Sequence, residues 1–211
     1  MDHYWNSDIG ESFHPELFSF VFENRSFTMY SSSSVFSSFK ADEGSLILAS
    51  CLREGITSYL SGRSPEEKLQ FRALDVGCGY GLLSILLAEL IPAYRGDMID
   101  VSQRAIKLAQ MNVQKFQKEE RLRVFESDKY QNVRERYDIV YTNPPIRTGK
   151  ANVHAILEGA GEVLKPNGEL YVVIRKSHGA PSAAKKMREL YGSCEIWKRS
   201  KGYYVLYAKR S

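Results

Sequence analysis

The most chemically specific run in this 211-residue chain is Asn143-Pro144-Pro145-Ile146-Arg147-Thr148-Gly149-Lys150. Two successive prolines fix φ and remove two backbone donors, which leaves the local carbonyls as acceptors. An asparagine side-chain oxygen and the Pro144 carbonyl can together take both hydrogens of an amino group. The nitrogen lone pair is then aimed at an electrophile, so alignment supplies most of the rate, and the same oxygens stabilise positive charge growing on nitrogen. Such chemistry needs neither a metal nor a general base before transfer. An Asn-Pro pair after a strand is also ordinary turn chemistry, and both readings of Asn143, Pro144 and Pro145 stand on the run alone.

A second run, Leu74-Asp75-Val76-Gly77-Cys78-Gly79-Tyr80-Gly81, leads from a strand into a helix. Its spacing is Asp-x-Gly-x-Gly-x-Gly, whereas dinucleotide sites use Gly-x-Gly-x-x-Gly to seat a pyrophosphate on a helix N-terminus. An acidic Asp75 two residues before the first glycine suits a cationic ligand. That favours a sulfonium- and amine-bearing cofactor, S-adenosylmethionine, over NAD, with a plain structural turn as the alternative. Cys78 inside the run is expected to line the cofactor site. Asp100, 19 residues after Gly81, can accept from ribose hydroxyls or serve helix-cap chemistry near Ser102. Asp97 sits mid-strand and competes less well. Asp128, in Ser127-Asp128-Lys129, reads equally as an acceptor for an adenine amine and as a turn residue.

Alternating strands and helices must position these groups. Leu48, Leu52 and Ile56 share a helical face over 44–60. Strands are expected over 71–76, 94–101, 122–126, 137–141, 169–175, 194–198 and 203–209. Helices are expected over 81–91, 103–116 (N-cap Ser102), 151–164 and from Pro181 to Tyr191. Repeated βα units imply a mostly parallel seven-stranded sheet with helices on both faces. The last two strands, joined by Arg199-Ser-Lys-Gly202, more naturally pair antiparallel, so the last strand is expected to be antiparallel in a mixed sheet. Ligands in such α/β sheets sit outside the carboxyl ends of the strands, where Asp75, Asp100, Asp128 and Asn143 all fall. Before this core, aromatic residues over 17–22 and 27–30 flank Glu23-Asn-Arg-Ser26, a hairpin signal, and the serine-rich 31–38 reads as a loop. Residues 1–40 are thus a hairpin extension with its loop, and 41–211 the catalytic domain.

Composition excludes several classes. Hydrophobic residues make up 43% and charged residues 26% of the chain, which rules out dominant disorder. No stretch approaches the ~18–20 apolar residues of a membrane span. Met1–Trp5 show no signal-peptide pattern, and three scattered cysteines make no disulfide framework; the protein is expected to be cytoplasmic. His3, His14, His154 and His178 lack metal-ligand spacing, so no metal site is expected. Residues 146–211 carry 13 basic side chains against five acidic, while residues 1–145 carry 16 against 20. A basic C-terminal third can neutralise phosphates or simply be a solvated face.

The runs quoted above, together with Val35-Phe36-Ser37, Asp42, Gly44, Arg175-Lys176 and the terminal Gly202-Tyr-Tyr-Val-Leu, resemble the class I S-adenosylmethionine-dependent methyltransferases of the small-domain type. Within them the likeness is to the RsmC-like group, which methylates guanine N2 in small-subunit ribosomal RNA. It covers most of the chain, and Ile-Arg-x-Gly-Lys after Asn-Pro-Pro is its discriminating part. Relatives more often have Ala at Thr148, and the group commonly has a Gly before Val35, where this chain has a serine run. With about 40 residues before the core, the second, non-catalytic N-terminal domain of some relatives is not expected.

The resemblance implies a Rossmann-like fold, with Asp75, Gly77, Cys78, Gly79, Gly81, Asp100, Val101, Asp128 and Asn143 around S-adenosylmethionine. It implies Asn143, Pro144 and Pro145 at the transferred methyl, and ribosomal RNA or the small ribosomal subunit as partner. Arg147, Lys150, Arg175 and Lys176 are the residues to grip RNA phosphates; each is also readable as a solvated charge. Rival readings are a glutamine-amide methyltransferase, a non-catalytic RNA-binding assembly factor and an NAD-dependent oxidoreductase. Ile146 weighs against the first, because glutamine- and DNA-adenine-directed enzymes with this motif usually carry an aromatic there to stack on the acceptor.

Overall fold

The strand that carries the Asn-Pro-Pro run lies in the middle of the sheet, and the rest of the chain is arranged around it. The computed structural model describes residues 13–32, 40–144 and 149–211. Its first hairpin pairs β1 (Glu16–Phe22) with β2 (Arg25–Ser31). Glu23 and Asn24 both take positive φ, 47° and 61°, as a two-residue hairpin turn requires. The turn is therefore tighter than the expected tetrapeptide, and Arg25 and Ser26 belong to β2. Helices α1 (Glu43–Leu60) and α2 (Pro65–Leu69) follow. Next come β3 (Ala73–Val76), α3 (Leu82–Leu90), β4 (Gly96–Asp100), α4 (Gln103–Lys115), β5 (Leu122–Glu126) and β6 (Tyr137–Thr142). The chain closes with α5 (Gly149–Val163), β7 (Leu164–Arg175), α6 (Ala180–Tyr191), β8 (Glu195–Ser200) and β9 (Tyr203–Lys209).

Seven strands form one sheet in the order β5-β4-β3-β6-β7-β9-β8. All pairings from β5 through β7 are parallel; β9 runs antiparallel to both of its neighbours. The expected mixed sheet with a reversed last strand is what forms. Strand order turns around between β3 and β6, and that crevice at the carboxyl ends is where an α/β sheet leaves room for a ligand. Alternation along the strands divides the core. Ile139, Tyr141, Tyr171 and Val173 face a cluster with α1, α3, α4 and the hairpin. Leu74, Val140, Leu170 and Val172 face a second cluster with α5 and α6.

Three local differences from the sequence expectations have clear causes. Helix α2 was not anticipated, although Ser64 and Glu67 form a reciprocal capping box with Pro65 in the first turn. Strand β7 begins at Leu164 rather than Glu169, because Leu164 already pairs with Tyr137 and Asn167 accommodates the irregularity at φ 61°. β4 starts at Gly96, since Tyr94 is still in a turn, its N–H donating to Ile91 O at 3.0 Å. Among the described residues no helix is long and apolar enough to cross a membrane.

One side chain bonds the backbone of the hairpin to the core. Asn112 on α4 is fully buried; its Oδ1 accepts from Tyr30 N at 2.7 Å and its Nδ2 donates to Tyr30 O at 3.0 Å and Tyr80 O at 2.8 Å. Phe18 meets the Tyr80 ring edge-on at 5.6 Å. The N-terminal aromatics accordingly pack inward: Phe18, Phe22 and Phe27 are buried.

Candidate active site

The loop between β3 and α3 is built by backbone bonds to the next strand. Gly77 and Cys78 both donate their N–H to Ile99 O at 2.9 Å. Asp100, at the end of β4, accepts from Gly79 N on Oδ2 at 3.0 Å and from Ser102 N on Oδ1 at 2.9 Å. The cap reading of Asp100 is thus met in the structure, where one carboxylate braces the glycine loop and the start of α4 together. Gly81 is the position that most needs to be glycine. Its φ is +88°, and a Cβ there would come within 2.6 Å of Met98 Cε.

Over this loop lies a cavity of about 680 Å³, a size that takes a nucleoside-sized ligand. Gly77, Cys78, Gly79, Asp100, Val101, Asp128 and Asn143 all line it, so seven of the nine expected cofactor residues come together. Its lining carboxylates are Asp42, Asp100 and Asp128, against one lysine, Lys129, which is already paired with Asp128 at 2.8 Å. An acidic wall suits a cationic ligand and opposes a pyrophosphate. Apolar Val76, Ile99 and Ile156 supply contact area. The donor set therefore fits S-adenosylmethionine, with Asp100 available to ribose hydroxyls and Asp128 to the adenine amine. Tyr80 also lines the cavity, and its buried hydroxyl has no hydrogen-bond partner among the described residues, a cost that a bound polar group would relieve. Burial pushes the Cys78 thiol well above its ordinary range, so it lines the cavity as a small neutral side chain.

Asp75 and Gly81 differ from expectation: neither lines the cavity. Asp75 is 1% exposed and sits behind the loop. Its Oδ2 accepts from Ser84 Oγ at 2.9 Å, and Ser84 Oγ lies 2.7 Å from Tyr141 Oη, itself 2.5 Å from Tyr94 Oη. Burial, partly offset by the Ser84 bond, pushes the Asp75 carboxyl up to about 7. This carboxylate faces a buried hydroxyl chain, because the first turn of α3 brings Ser84 back over β3.

Asn143 follows β6 directly and lines the same cavity. Its Nδ2 donates to Asp42 Oδ2 at 2.8 Å and to Ser45 Oγ at 2.9 Å. Asp42 is the N-cap of α1, and Oδ2 also accepts from Ser45 N at 2.8 Å. Pro144 is buried beside it. Pro145, Ile146, Arg147 and Thr148, like Val35-Phe36-Ser37, lie outside the described residues.

Of the remaining basic candidates, Lys150 and Lys176 are exposed and Arg175 is half-buried. The Arg175 guanidinium lies over the Tyr203 ring at 4.6 Å and interacts electrostatically with Asp42 and Glu43. Sequence reasoning missed Ser45 and Tyr80 as site residues. It had Asp42 only through the resemblance. Among the described residues no His, Cys, Asp and Glu side chains group as metal ligands.

Comparison with known proteins gives a consistent picture. The family described as "Methyltransferase small domain" matches residues 26–207. An uncharacterised protein of Bacillus subtilis, YbxB, is 36% identical over 211 residues, 99% of this chain and 98% of its own. The ribosomal RNA small subunit methyltransferase C of Erwinia tasmaniensis is 30% identical over 84% of this chain, which spans only 48% of that relative. A ribosomal protein uL3 glutamine methyltransferase of Neisseria meningitidis is 33% identical over 51% of this chain and 35% of its own. Among solved structures, the Thermus thermophilus 16S rRNA N2 G1207 methyltransferase, in complex with AdoMet and guanosine, superposes with a TM-score of 0.78 at 23% identity. The match covers 93% of this chain and 51% of that one.

Proposed function

The chain belongs to the methyltransferase small domain family, and from that premise we propose that it methylates the exocyclic N2 of a guanine in small-subunit ribosomal RNA. It is an S-adenosylmethionine-dependent methyltransferase of the RsmC-like type. S-adenosylmethionine, when bound, supplies the electrophilic methyl group. The chain's own residues do the rest. Asp100 and the Gly77–Gly79 backbone hold the ribose and methionyl portions, Val101 packs on the ligand, and Asp128 takes the adenine amine. Asp75 and Gly81 act from behind, by shaping the loop. Asn143 Oδ1 and the Pro144 carbonyl hold the hydrogens of the acceptor amine and aim its lone pair into the cavity.

The observation that carries this reading is the placement of Asn143, at the carboxyl end of a central strand and on the wall of the cavity that Asp100 and the glycine loop also line. The longer match to a ribosomal RNA methyltransferase, over 84% of the chain against 51% for a glutamine methyltransferase, favours a nucleobase amine over an amide. So does Ile146, at the position where glutamine- and DNA-adenine-directed enzymes with this motif usually carry an aromatic. Arg147, Lys150, Arg175 and Lys176 would meet the flanking phosphates.

The test offers S-adenosylmethionine with a labelled methyl group, and purified protein, to unmethylated small ribosomal subunits, free ribosomal RNA, DNA and protein extract. Digestion to nucleosides is expected to return the label as N2-methylguanosine. Label in a glutamine side chain would replace the substrate assignment while retaining the chemistry. An RNA complex without turnover would make the chain a binding factor.

A further inference from the structure

An asparagine amide has two chemically opposite ends, and the one it presents to a ligand decides what it can hold. Beside Asn143 the choice is already made. Its amide end next to Asp42 faces a carboxylate oxygen at 2.8 Å. A carboxylate has no hydrogen to give, so that end must be the nitrogen; turned over, Oδ1 would stand against a negatively charged oxygen. The second Nδ2 hydrogen goes to Ser45 Oγ at 2.9 Å. Both hydrogens are then committed, and Oδ1 is the amide's remaining polar atom.

We propose that Asp42 and Ser45 are positioning residues that lock the Asn143 amide with Oδ1 turned to the methyl acceptor, so that the site selects a hydrogen-bond donor. The inference rests on the reading of Asn143 as the amine's acceptor. Its chemical content is a restriction on the acceptor. An amino or amide nitrogen brings hydrogens to Oδ1, whereas a carboxylate, phenolate or thiolate brings only lone pairs and is repelled. The same Asp42 oxygen also receives the Ser45 N–H that starts α1, at 2.8 Å. One atom thus fixes both the helix start and the amide, and the segment before α1 is tied to a turn 101 residues later in the chain.

Because Asp42 is also a helix cap, the variants must separate the two roles. Serine is a good N-cap but too short to reach Asn143, so Asp42→Ser keeps the cap and releases the amide. Asparagine keeps the cap and can place its own oxygen where Oδ2 lies. With labelled S-adenosylmethionine, Asp42→Ser is expected to lower kcat about tenfold or more, for loss of a charge-assisted hydrogen bond. Its melting temperature should stay near wild type, and any loss of cofactor affinity from the missing wall charge should be shared by Asp42→Asn, whereas the loss of kcat should not. Asp42→Asn should recover kcat to within about threefold, the neutral bond being weaker.

A second measurement needs no substrate. In 1H–15N spectra the Asn143 side-chain amide, assigned by its loss in Asn143→Ala, should be protected from exchange in the wild type and exchange freely in Asp42→Ser. Wild-type kcat in Asp42→Ser, or kcat lost only in step with cofactor binding and stability, overturns the proposal. So does an unprotected Asn143 amide in the wild-type protein. Label found in protein instead of RNA would overturn the substrate assignment and leave this inference standing, since a glutamine amide also donates.

Discussion

Asp100 Oδ2 accepts the Gly79 backbone N–H at 3.0 Å, so the carboxylate that closes β4 also fixes the shape of the loop after β3. Removing it would both deprive a ribose of an acceptor and release the loop. Asp100→Ala is expected to weaken S-adenosylmethionine binding about tenfold to a hundredfold, the value of one hydrogen bond to a charged group. Isothermal titration calorimetry checks this. An unchanged affinity would confine Asp100 to capping α4.

Asn143→Ala should separate binding from transfer. Methyl transfer is expected to fall by at least about a hundredfold, the usual cost of removing one preorganised group at developing charge. Cofactor affinity should remain within a few-fold of wild type. A parallel loss of affinity would make Asn143 a structural residue of the cavity wall.

Stability should depend on Asp75 in a definite window. Its carboxyl is raised to about 7 by burial, so between the ordinary carboxylate range near ~4 and pH ~7 the folded protein holds a proton that the unfolded chain has released. That group's contribution is therefore fully present below pH ~4, is lost progressively as pH rises, and levels off above ~7. Thermal melts of the apoprotein from pH 5 to 8 should show the decline. Asp75→Asn, which keeps an acceptor for Ser84, should flatten it.

Lys176 is exposed next to the end of β7. If RNA phosphates lie there, Lys176→Ala should lower RNA affinity several-fold for all sequences and reduce the slope of log K against log salt by about one. Filter binding at a series of salt concentrations measures both. An unchanged slope would return Lys176 to the solvated surface.

The buried Asn112 satisfies three backbone groups in Tyr30 and Tyr80. Asn112→Leu would keep the volume and strand those groups, at a cost of about 2–4 kcal/mol in unfolding free energy. Urea unfolding and faster hydrogen exchange at Tyr30 should report it.

Much of this molecule was legible in its sequence. Strands such as Tyr137–Thr142 are marked by apolar runs bounded by turn residues, and the glycine loop and Asn-Pro-Pro carry chemistry that local spacing exposes. What escaped were relations between distant residues. Asp42 and Asn143 are joined by a contact spanning 101 positions, and nothing in either neighbourhood announces the other. Asp75 was misplaced for a similar reason. Strand alternation does not say whether a carboxylate at a strand end turns to ligand or to a buried Ser84 hydroxyl on the next helix. The α2 capping box, by contrast, is readable in Ser64-Pro-Glu-Glu67, but a five-residue helix carries no apolar periodicity to mark it.

Asn112 holds the hairpin by the main chain of Tyr30 and touches none of its side-chain chemistry. That contact reads only an N–H and a C=O, so it makes no demand on the Tyr30 side chain; the demand on the β2 sequence comes from Phe27 and Met29, which are buried in the core. Divergence in β2 is therefore confined to its exposed positions, Arg25 and Ser26. The same Asn112 side chain also holds Tyr80 O in the glycine loop, so the hairpin is mechanically coupled to the cofactor site.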